Sequence, residues 1–267
     1  MASDTADSAL TLQGRRAVVT GASRGIGRSV ALALALAGAD VAVTARTESE
    51  LEALAEEIRG LGRQALPVAC DVTDQAQVQR MADTVYLGLQ RVDILVNNAG
   101  ASGSSKFITH DDELWHRMLA MNMTSVYYVT KAFAPAMVSQ HYGRIIMMAS
   151  IAARTGARYI AAYTAAKHGV LGLTRALAAE LGPAGVTVNA ICPGYVDTPM
   201  TANTIANMTR LTRMTEEQAR QTLEKMSPQQ RLVTPDEVAR IAVFLAQEAS
   251  GSINGQAINI DGGGVMS

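Results

Sequence analysis

The sequence predicts an α/β fold in which helices cover both faces of a doubly wound, seven-stranded parallel sheet. Short runs rich in β-branched residues alternate with helical patterns along the 267 residues, as they do in βαβ units. A glycine-rich turn joins the first strand to the first helix, the position at which such folds bind phosphate groups. Because no linker-like segment interrupts the alternation, we expect a single domain over 14–267, preceded by a flexible N-terminal tail over 1–13.

The predicted elements follow one another in regular order. The strands are Arg16–Thr20, Asp40–Ala45, Ala65–Ala69, Ile94–Asn97, Ile145–Ala149, Val186–Ile191 and Gln256–Ile260. Helices are predicted at about 29–38, 47–61, 73–90, 111–140, 163–181 and from 235 onward. Thr47, with Glu50 three residues later, predicts a capping box. Thr234 followed by Pro235 predicts the start of the last helix, since Pro is favoured at the first helical position.

Composition narrows the classes of function. Hydrophobic residues make up 48% of the chain and charged residues 18%, which is typical of a globular enzyme. The net charge of −1 gives no indication of nucleic acid or an anionic membrane as partner. The tail has no basic segment before an apolar core, as a signal peptide would, and no apolar run reaches membrane-spanning length, so we expect a cytoplasmic protein. The four His form no ligand cluster, and we expect no metal.

A candidate proton-transfer site lies between Ser150 and Lys167. Tyr163 and Lys167 are four residues apart in an Ala-rich segment, so they share one face of a helix. A lysine ammonium beside a phenol favours the phenolate and lowers its pKa. Ser150 follows an apolar strand and could hydrogen-bond the same substrate oxygen, as an alcohol or ketone reaction would require. The spacing alone is weak evidence, because Tyr127 and Lys131 repeat it.

The turn after the first strand is suited to a pyrophosphate. Gly21 permits a tight turn, Gly25 lets the backbone approach the phosphates, and Gly27 allows the helix to pack closely on the strand. The spacing is GxxxGxG rather than GxGxxG. Its place between a strand and an apolar helix favours nucleotide binding over an ordinary glycine-rich turn.

The end of the second strand indicates which dinucleotide binds. NAD enzymes often place an acidic residue there for the ribose hydroxyls, but this chain has Arg46. With Arg24 in the glycine loop, Arg46 would suit a 2′-phosphate, since guanidinium groups bind phosphate through paired hydrogen bonds. We therefore expect NADP(H), with two solvated surface arginines as the alternative. Asp71 could accept a hydrogen bond from the adenine amino group, and Asn98 with its small neighbours would lie against the adenosine.

Together these motifs resemble the short-chain dehydrogenase/reductase family over about 13–263. The matching pieces are Thr20–Gly27, Asn97–Gly100, Asn122, Ser150, Tyr163 with Lys167, and Pro193-Gly194. The resemblance implies a Rossmann fold and hydride transfer between a nicotinamide cofactor and a ketone or secondary alcohol. It implies that Ser150 polarises the carbonyl and that Tyr163 is the general acid or base. Lys167 would lower the pKa of Tyr163 and hold the nicotinamide ribose.

The resemblance also assigns roles beyond this set. Asn122, at an irregularity in a helix, would hold a water that relays protons. Val196 would offer backbone groups to the carboxamide of the cofactor, and Thr198 its hydroxyl. Tyr163 is preferred over Tyr127 because no Ser at a strand end lies shortly before Tyr127. The implied cofactor-binding residues are Gly21, Ser23, Arg24, Gly25, Ile26, Gly27, Arg46, Asp71, Val72, Asn98, Ala99, Gly100, Tyr163, Lys167, Pro193, Gly194, Val196 and Thr198.

The segment 199–228 departs from the strand–helix alternation, and in the family the corresponding insertion is a mobile lid over the substrate. Its four Met suit a surface that adapts to varied apolar groups, although an ordinary amphipathic helix would have the same pattern. The pattern most resembles reductases of 3-oxoacyl thioesters or similar bulky ketones. The alternatives are an NAD-dependent secondary-alcohol or 3-hydroxyacyl dehydrogenase and a non-catalytic nucleotide-binding regulator. The resemblance further implies a homotetramer.

Overall fold

The computed structural model describes residues 11–266 and contains one parallel sheet of seven strands in the order β3-β2-β1-β4-β5-β6-β7. The strands are β1 (Arg16–Thr20), β2 (Asp40–Ala45), β3 (Ala65–Ala69), β4 (Ile94–Asn97), β5 (Gly143–Met148), β6 (Val186–Pro193) and β7 (Ala257–Ile260). The order reverses between β1 and β4, which leaves a crevice at their carboxyl ends. The predicted doubly wound Rossmann fold is confirmed.

Helices connect the strands. They are α1 (Gly25–Leu36), α2 (Glu48–Gly60), α3 (Gln75–Leu89), α4 (Asp112–Leu119), α5 (Ser125–Ser139), α6 (Ala161–Leu181), α7 (Pro199–Leu211), α8 (Glu216–Glu224) and α9 (Pro235–Ala246). Among residues 11–266, no helix combines the length and the apolar character that spanning a bilayer requires.

The core lies in two apolar layers, one on each face of the sheet. Helices α1, α2 and α9 pack on one face, and α3, α5 and α6 pack on the other. The alternation along β1 shows how a single strand supplies both layers. Ala17 and Val19 belong to the first layer and Val18 to the second, because successive strand side chains point to opposite faces. Burial on both faces explains why the inner strands β1, β2, β4, β5 and β6 are largely apolar, whereas the edge strands β3 and β7 are only partly buried.

The beginning of the chain bears on the predicted tail over 1–13. Residues 1–10 lie outside the described residues. Leu12, however, is buried, and its N–H donates to the carbonyl of Ala37 at 2.8 Å. The folded part of the chain therefore includes at least the last residues assigned to the tail.

Two helix predictions need correction. The long helix predicted at 111–140 is interrupted by a π-helical turn, Ala120–Thr124, between α4 and α5. The predicted capping box at Thr47 is wrong, since the Thr47 side chain makes no capping hydrogen bond. The first turn of α2 is instead favoured by acidic side chains near the positive end of the helix dipole. At the start of α9, Thr234 and Glu237 do form a complete capping box.

Candidate active site

The chemistry-bearing residues gather at the carboxyl end of the sheet, beside the crevice where the strand order reverses. Ser150 stands two residues after β5, and its hydroxyl accepts a hydrogen bond from the N–H of Ala152 at 3.1 Å. This bond caps a short 3₁₀ turn, so the strand end and the turn fix the Ser150 side chain. The chain then reaches α6, which bears Tyr163 and Lys167 on one face.

Lys167 is one of the few buried cations among the described residues, with 4% of its surface exposed. Its Nζ donates to the carbonyl of Met148 at 2.7 Å, which ties α6 to the last residue of β5. The same Nζ lies 5.7 Å from the centre of the Tyr163 ring. Burial lowers the pKa of Lys167 to about 8, because a charged ammonium loses its hydration there.

Burial, and not the nearby Lys167, sets the direction of the Tyr163 pKa shift. Tyr163 is partly buried among Ala101, Leu114 and Met118, and this burial raises the pKa of its phenol. The hydrogen bond of Ser150 acts in the opposite direction and is the weaker influence. Desolvation therefore outweighs the favourable interactions of the phenolate, and Tyr163 is held as a protonated acid.

Asn122 lies in the π-helical turn and is fully buried. Its amide donates to the carbonyls of Ala101 at 2.9 Å and Met118 at 3.1 Å, while its Oδ1 accepts from the N–H of Ala101 at 3.1 Å. The two bonds to Ala101 fasten the turn to the segment after β4. The helix irregularity implied for Asn122 is therefore present, and the side chain holds Ala101; a water relay stays a prediction.

Gly100 brings Asn122 and Lys167 to one place. A Cβ atom at Gly100 would lie 2.9 Å from Asn122 Oδ1 and 3.7 Å from Lys167 Nζ. The first distance is shorter than carbon–oxygen contacts allow, so only glycine fits here without displacing the amide. Because Gly100 has no side chain, the segment after β4, the π-helical turn that carries Asn122 and helix α6 can lie close together.

The glycine loop has the shape that the sequence predicts. Gly21 and Gly25 adopt positive φ angles of 64° and 57°, which glycine reaches without strain. A Cβ at Gly27 would lie 2.3 Å from the carbonyl oxygen of Gly21, so α1 begins directly against the turn. Asn98 donates to the carbonyls of Thr20 at 2.9 Å and Gly21 at 3.1 Å. The amide donors of Asn98 therefore hold the loop in shape.

Arg24 and Arg46 are both exposed, and neither forms an ion pair within the described part of the chain. A third arginine of the region behaves differently. Arg28 is bound to Glu57 of α2 at 2.6 Å. The guanidinium groups of Arg24 and Arg46 are therefore available to an anion, whereas that of Arg28 is already neutralised. Together with the cradle of glycines, this donor set fits a phosphorylated dinucleotide.

The remaining predicted contacts lie on neighbouring strand ends. Asp71 Oδ1 already accepts from the N–H of Thr73 at 2.9 Å and its hydroxyl at 2.7 Å. After β6, the carbonyl of Val196 accepts from Thr201 at 2.6 Å and from Thr198 at 3.3 Å, so this carbonyl is occupied within the chain. A Cβ at Gly25 would lie 3.2 Å from Thr198, which places the loop after β6 against the glycine loop. The other predicted residues, Ser23, Ile26, Val72, Ala99, Pro193 and Gly194, lie in these same loops and strand ends.

Three residues of the site, Tyr195, Leu114 and Met118, were not identified from the sequence. After burial, Tyr195 is a further cause of the raised pKa of Tyr163, and it packs against the apolar cluster that contains Ile205 and Leu223 of the segment 199–228. Its position directly after Pro193-Gly194 is a signal that could have been used. Leu114 and Met118, which contact Tyr163, belong to an amphipathic pattern that any surface helix shows.

Comparison with known proteins identifies the family. The family model described as Enoyl-(Acyl carrier protein) reductase matches residues 21–264. The crystal structure of an actinorhodin polyketide ketoreductase variant with NADPH superposes with a TM-score of 0.90, at 36% identity over 96% of this chain and 98% of the other. The chain belongs to the short-chain dehydrogenase/reductase family.

Relatives within the short-chain dehydrogenase/reductase family act on related chemical groups. A 3-oxoacyl-[acyl-carrier-protein] reductase of Synechocystis sp. is 39% identical over 97% of this chain and 99% of its own length. A D-beta-hydroxybutyrate dehydrogenase of Rhizobium meliloti is 35% identical over 93% of this chain and 98% of its own length. The first name describes a ketone reduction and the second an alcohol oxidation, which differ in direction and share the reacting carbon–oxygen bond.

Within residues 11–266, no group of three or more His, Cys, Asp or Glu is arranged to hold a metal ion. The two cysteines, Cys70 and Cys192, are buried free thiols. Burial raises the pKa of Cys70 to about 11, so it stays an uncharged apolar side chain.

Proposed function

We propose that this chain is an NADP(H)-dependent ketoreductase that reduces a 3-oxoacyl thioester or a similar bulky ketone. The observation that supports it most directly is the protonated, partly buried Tyr163 beside Ser150 and the buried Lys167. A phenol that stays protonated at neutral pH can give its proton to an oxygen that gains negative charge, provided that neighbouring groups stabilise the phenolate that remains. The names of the relatives support a carbonyl as the reacting group.

In this reaction Ser150, Tyr163 and Lys167 each have a defined task. Ser150 and Tyr163 donate hydrogen bonds to the carbonyl oxygen and stabilise the negative charge that develops there. The nicotinamide, when bound, supplies the hydride to the carbonyl carbon. Tyr163 gives its proton to the oxygen, and the product is the secondary alcohol. Lys167, charged at neutral pH, stabilises the phenolate left on Tyr163.

Asn122 acts on this site through Ala101. Its two hydrogen bonds with the Ala101 backbone hold the segment after β4 beside Gly100 and the Lys167 ammonium. Asn122 therefore serves as a positioning residue. We also propose that a water near Asn122 relays protons.

The preference for NADP(H) rests on Arg24 and Arg46. Both guanidinium groups are exposed and lack acidic partners among the described residues, so a 2′-phosphate would meet two unneutralised cations. Arg46→Ala should raise the KM for NADPH by at least about tenfold and the KM for NADH by less than about twofold. Arg28→Ala is the matched control, because Arg28 is paired with Glu57. Equal effects on the two cofactors would refute the phosphate role of Arg46.

The substrate class is tested by initial rates with NADPH and with NADH. The panel contains a 3-oxoacyl thioester, a 3-oxo ester, an aryl ketone, a cyclic ketone and an enoyl thioester. We expect NADPH to be preferred and the 3-oxoacyl thioester to react fastest, with no reduction of the enoyl thioester. Reduction of the enoyl thioester alone would refute a ketoreductase.

The similarity to the D-beta-hydroxybutyrate dehydrogenase supports a second candidate, an NAD-dependent dehydrogenase of secondary alcohols or 3-hydroxyacyl compounds. Arg46 in place of an acidic residue argues against it. Preference for NADH, with faster alcohol oxidation than ketone reduction, would favour this candidate. A third candidate, a non-catalytic nucleotide-binding regulator, requires that no substrate turns over.

The segment 199–228 is proposed to be the lid over the substrate. Helices α7 and α8 form a small apolar cluster of their own with Tyr195, and Met200, Met214 and Met226 are exposed. Arg220 of α8 binds Asp197, which lies just before α7, at 3.1 Å. This ion pair links α8 to the start of the segment.

We also propose a single domain over 14–267, a homotetramer and a cytoplasmic location, which gel filtration and cell fractionation would test.

A further inference from the structure

Tyr159 has a backbone conformation that does not suit its side chain. Its φ is +72°, in the left-handed region that bulky L-residues rarely adopt. Three other non-glycine residues of the described chain have positive φ: Gln90, His141 and Gln230. All three are polar, and Gln90 and His141 lie where helices α3 and α5 end. Tyr159 is the aromatic residue of this set.

The Tyr159 side chain gains little from the fold in return for this strain. It is 52% exposed, so burial does not compensate for the unfavourable backbone. Its ring stacks only loosely on the neighbouring Arg158, whose guanidinium lies 5.8 Å from the ring centre. Glycine would adopt the same φ without strain and would expose less apolar surface. Neither local structure nor core packing accounts for a tyrosine here.

Tyr159 lies where two loops of the site meet. Its carbonyl accepts a hydrogen bond from the N–H of Ser105 at 2.7 Å. This bond joins the loop between Ser150 and α6 to the loop that follows Gly100 after β4. Two and three residues beyond Ser105, Phe107 is 76% exposed and Ile108 90% exposed. The Ser105–Tyr159 bond therefore holds the backbone of Tyr159 beside the segment that carries two exposed apolar residues, Phe107 and Ile108.

We propose that Tyr159 is a specificity-determining residue whose ring, with Phe107 and Ile108, forms the outer wall of the substrate cleft. The wall packs against the distal apolar part of a bulky ketone, whose reacting carbonyl lies at Ser150 and Tyr163. In this proposal, contact of the ring with bound substrate offsets the backbone strain at Tyr159. The inference deepens the proposed function and rests on it for the identity of the reacting group.

The test compares Tyr159→Gly with Gln90→Gly, which removes the same kind of strain at the end of α3, next to the start of β4 and far from the site. Both variants should unfold at a higher temperature than the parent. Tyr159→Gly should raise the KM for an aryl ketone about tenfold relative to the KM for a small 3-oxo ester, because an aromatic contact is lost. Gln90→Gly should leave both KM values unchanged, and Tyr159→Phe, which keeps the ring, should keep the ratio of the two KM values that the parent shows.

Several results would overturn the proposal. If Tyr159→Gly destabilises the protein, the ring supports the fold. If the KM values of the aryl ketone and the 3-oxo ester change by the same factor, the ring does not distinguish substrates. If Tyr159→Phe loses as much as Tyr159→Gly, the hydroxyl and not the ring is responsible.

Failure of the proposed function is detected separately. Binding of the aryl ketone with NADPH is measured by calorimetry in the Tyr163→Phe background, where no proton is transferred. A Kd that rises about tenfold on adding Tyr159→Gly supports the wall even if the parent reduces no ketone, in which case only the proposed reaction fails. Turnover of ketones with an unchanged Kd supports the reaction and refutes the wall.

Discussion

The molecule contains the same four-residue spacing of tyrosine and lysine on two helices, and the two pairs behave differently. On α5, Tyr127 is 43% exposed and its hydroxyl accepts a hydrogen bond from Lys131 Nζ at 3.0 Å. On α6, Lys167 is buried, and its Nζ donates instead to the carbonyl of Met148 at 2.7 Å. The pair with the direct tyrosine–lysine contact is the one in solvent.

The difference comes from what stands opposite each helix face. Lys131 lies in solvent beside the Tyr127 hydroxyl, and the hydrogen bond between them raises the pKa of that lysine. Lys167 faces the end of β5, where the carbonyl of Met148 holds its ammonium beside Gly100. Burial then lowers the pKa of Lys167 to about 8 and raises that of Tyr163. Helical spacing alone therefore produces an ordinary surface pair, and a strand end is needed to make a buried one.

Removing the two hydroxyls is the strongest way to test this comparison. Tyr163→Phe should lower kcat/KM for ketone reduction by about 10³-fold, since a general acid typically contributes roughly 10²–10⁴-fold. Tyr127→Phe should change it by less than about twofold, because its hydroxyl contacts only an exposed lysine. Steady-state kinetics with folded variants would decide, and comparable losses in both would place the second pair at the site.

Removing the two ammonium groups should separate activity from stability. Lys167→Met is expected to lower kcat about 100-fold, because the phenolate left on Tyr163 loses its cation. In the parent, the lowered pKa of Lys167 means that keeping this side chain charged at neutral pH costs about 3 kcal/mol of stability. The variant avoids this cost but leaves the Met148 carbonyl unpaired, which costs about 1–3 kcal/mol. We therefore expect a small net change in the free energy of unfolding, measured by urea denaturation.

Lys131→Met is the matched control and should leave both activity and stability close to those of the parent.

The sign of the pH dependence of the free energy of unfolding gives a second check on Lys167. The unfolded chain binds more protons between about pH 8 and pH 10.5, so the free energy of unfolding should rise with pH over this window. A Lys167→Met protein whose stability rises as steeply there would contradict the assignment.

The alternation of apolar strands and amphipathic helices is what made the sheet predictable. Residues such as Val18 and Val19 must be apolar whichever face they cover, so seven strands stand out in the sequence. The helix caps were harder to predict. Thr47 and Thr234 both precede a Glu by three residues, and only Thr234 forms the box. There Arg231 binds Glu237 at 2.6 Å and fixes its carboxylate, a contact that local sequence does not show.

The site was predictable where residue type decides the chemistry. Ser150, Tyr163 and Lys167 could be named because few side chains move protons at an oxygen. The partners that orient them could not, because the Met148 and Ala101 groups are backbone atoms that every residue has. The direction of the Tyr163 pKa shift was missed for a related reason, since burial is a property of the fold.

A substitution at Gly100 also tests the buried pair, because Gly100 lies next to Lys167. Gly100→Ala places a methyl group 2.9 Å from Asn122 Oδ1, which must displace the amide or the segment after β4. A displacement of this size at a catalytic site should lower kcat by about tenfold to 100-fold. Gly156→Ala is the control, because a Cβ there meets no described atom within 4 Å. Full activity in Gly100→Ala would show that Asn122 need not hold its position.

The smallest expected effect is on the pH profile of ketone reduction, which distinguishes Lys167 from Lys131. Lys167 loses its charge as the pH rises through about 8, so kcat should fall about tenfold between pH 7 and pH 9. Tyr163 does not titrate in this range, since its raised pKa keeps the acid protonated, and the raised pKa of Lys131 keeps that ammonium charged. A reduction rate that stays constant to about pH 9.5 would mean that the charge on Lys167 does not support the proton transfer.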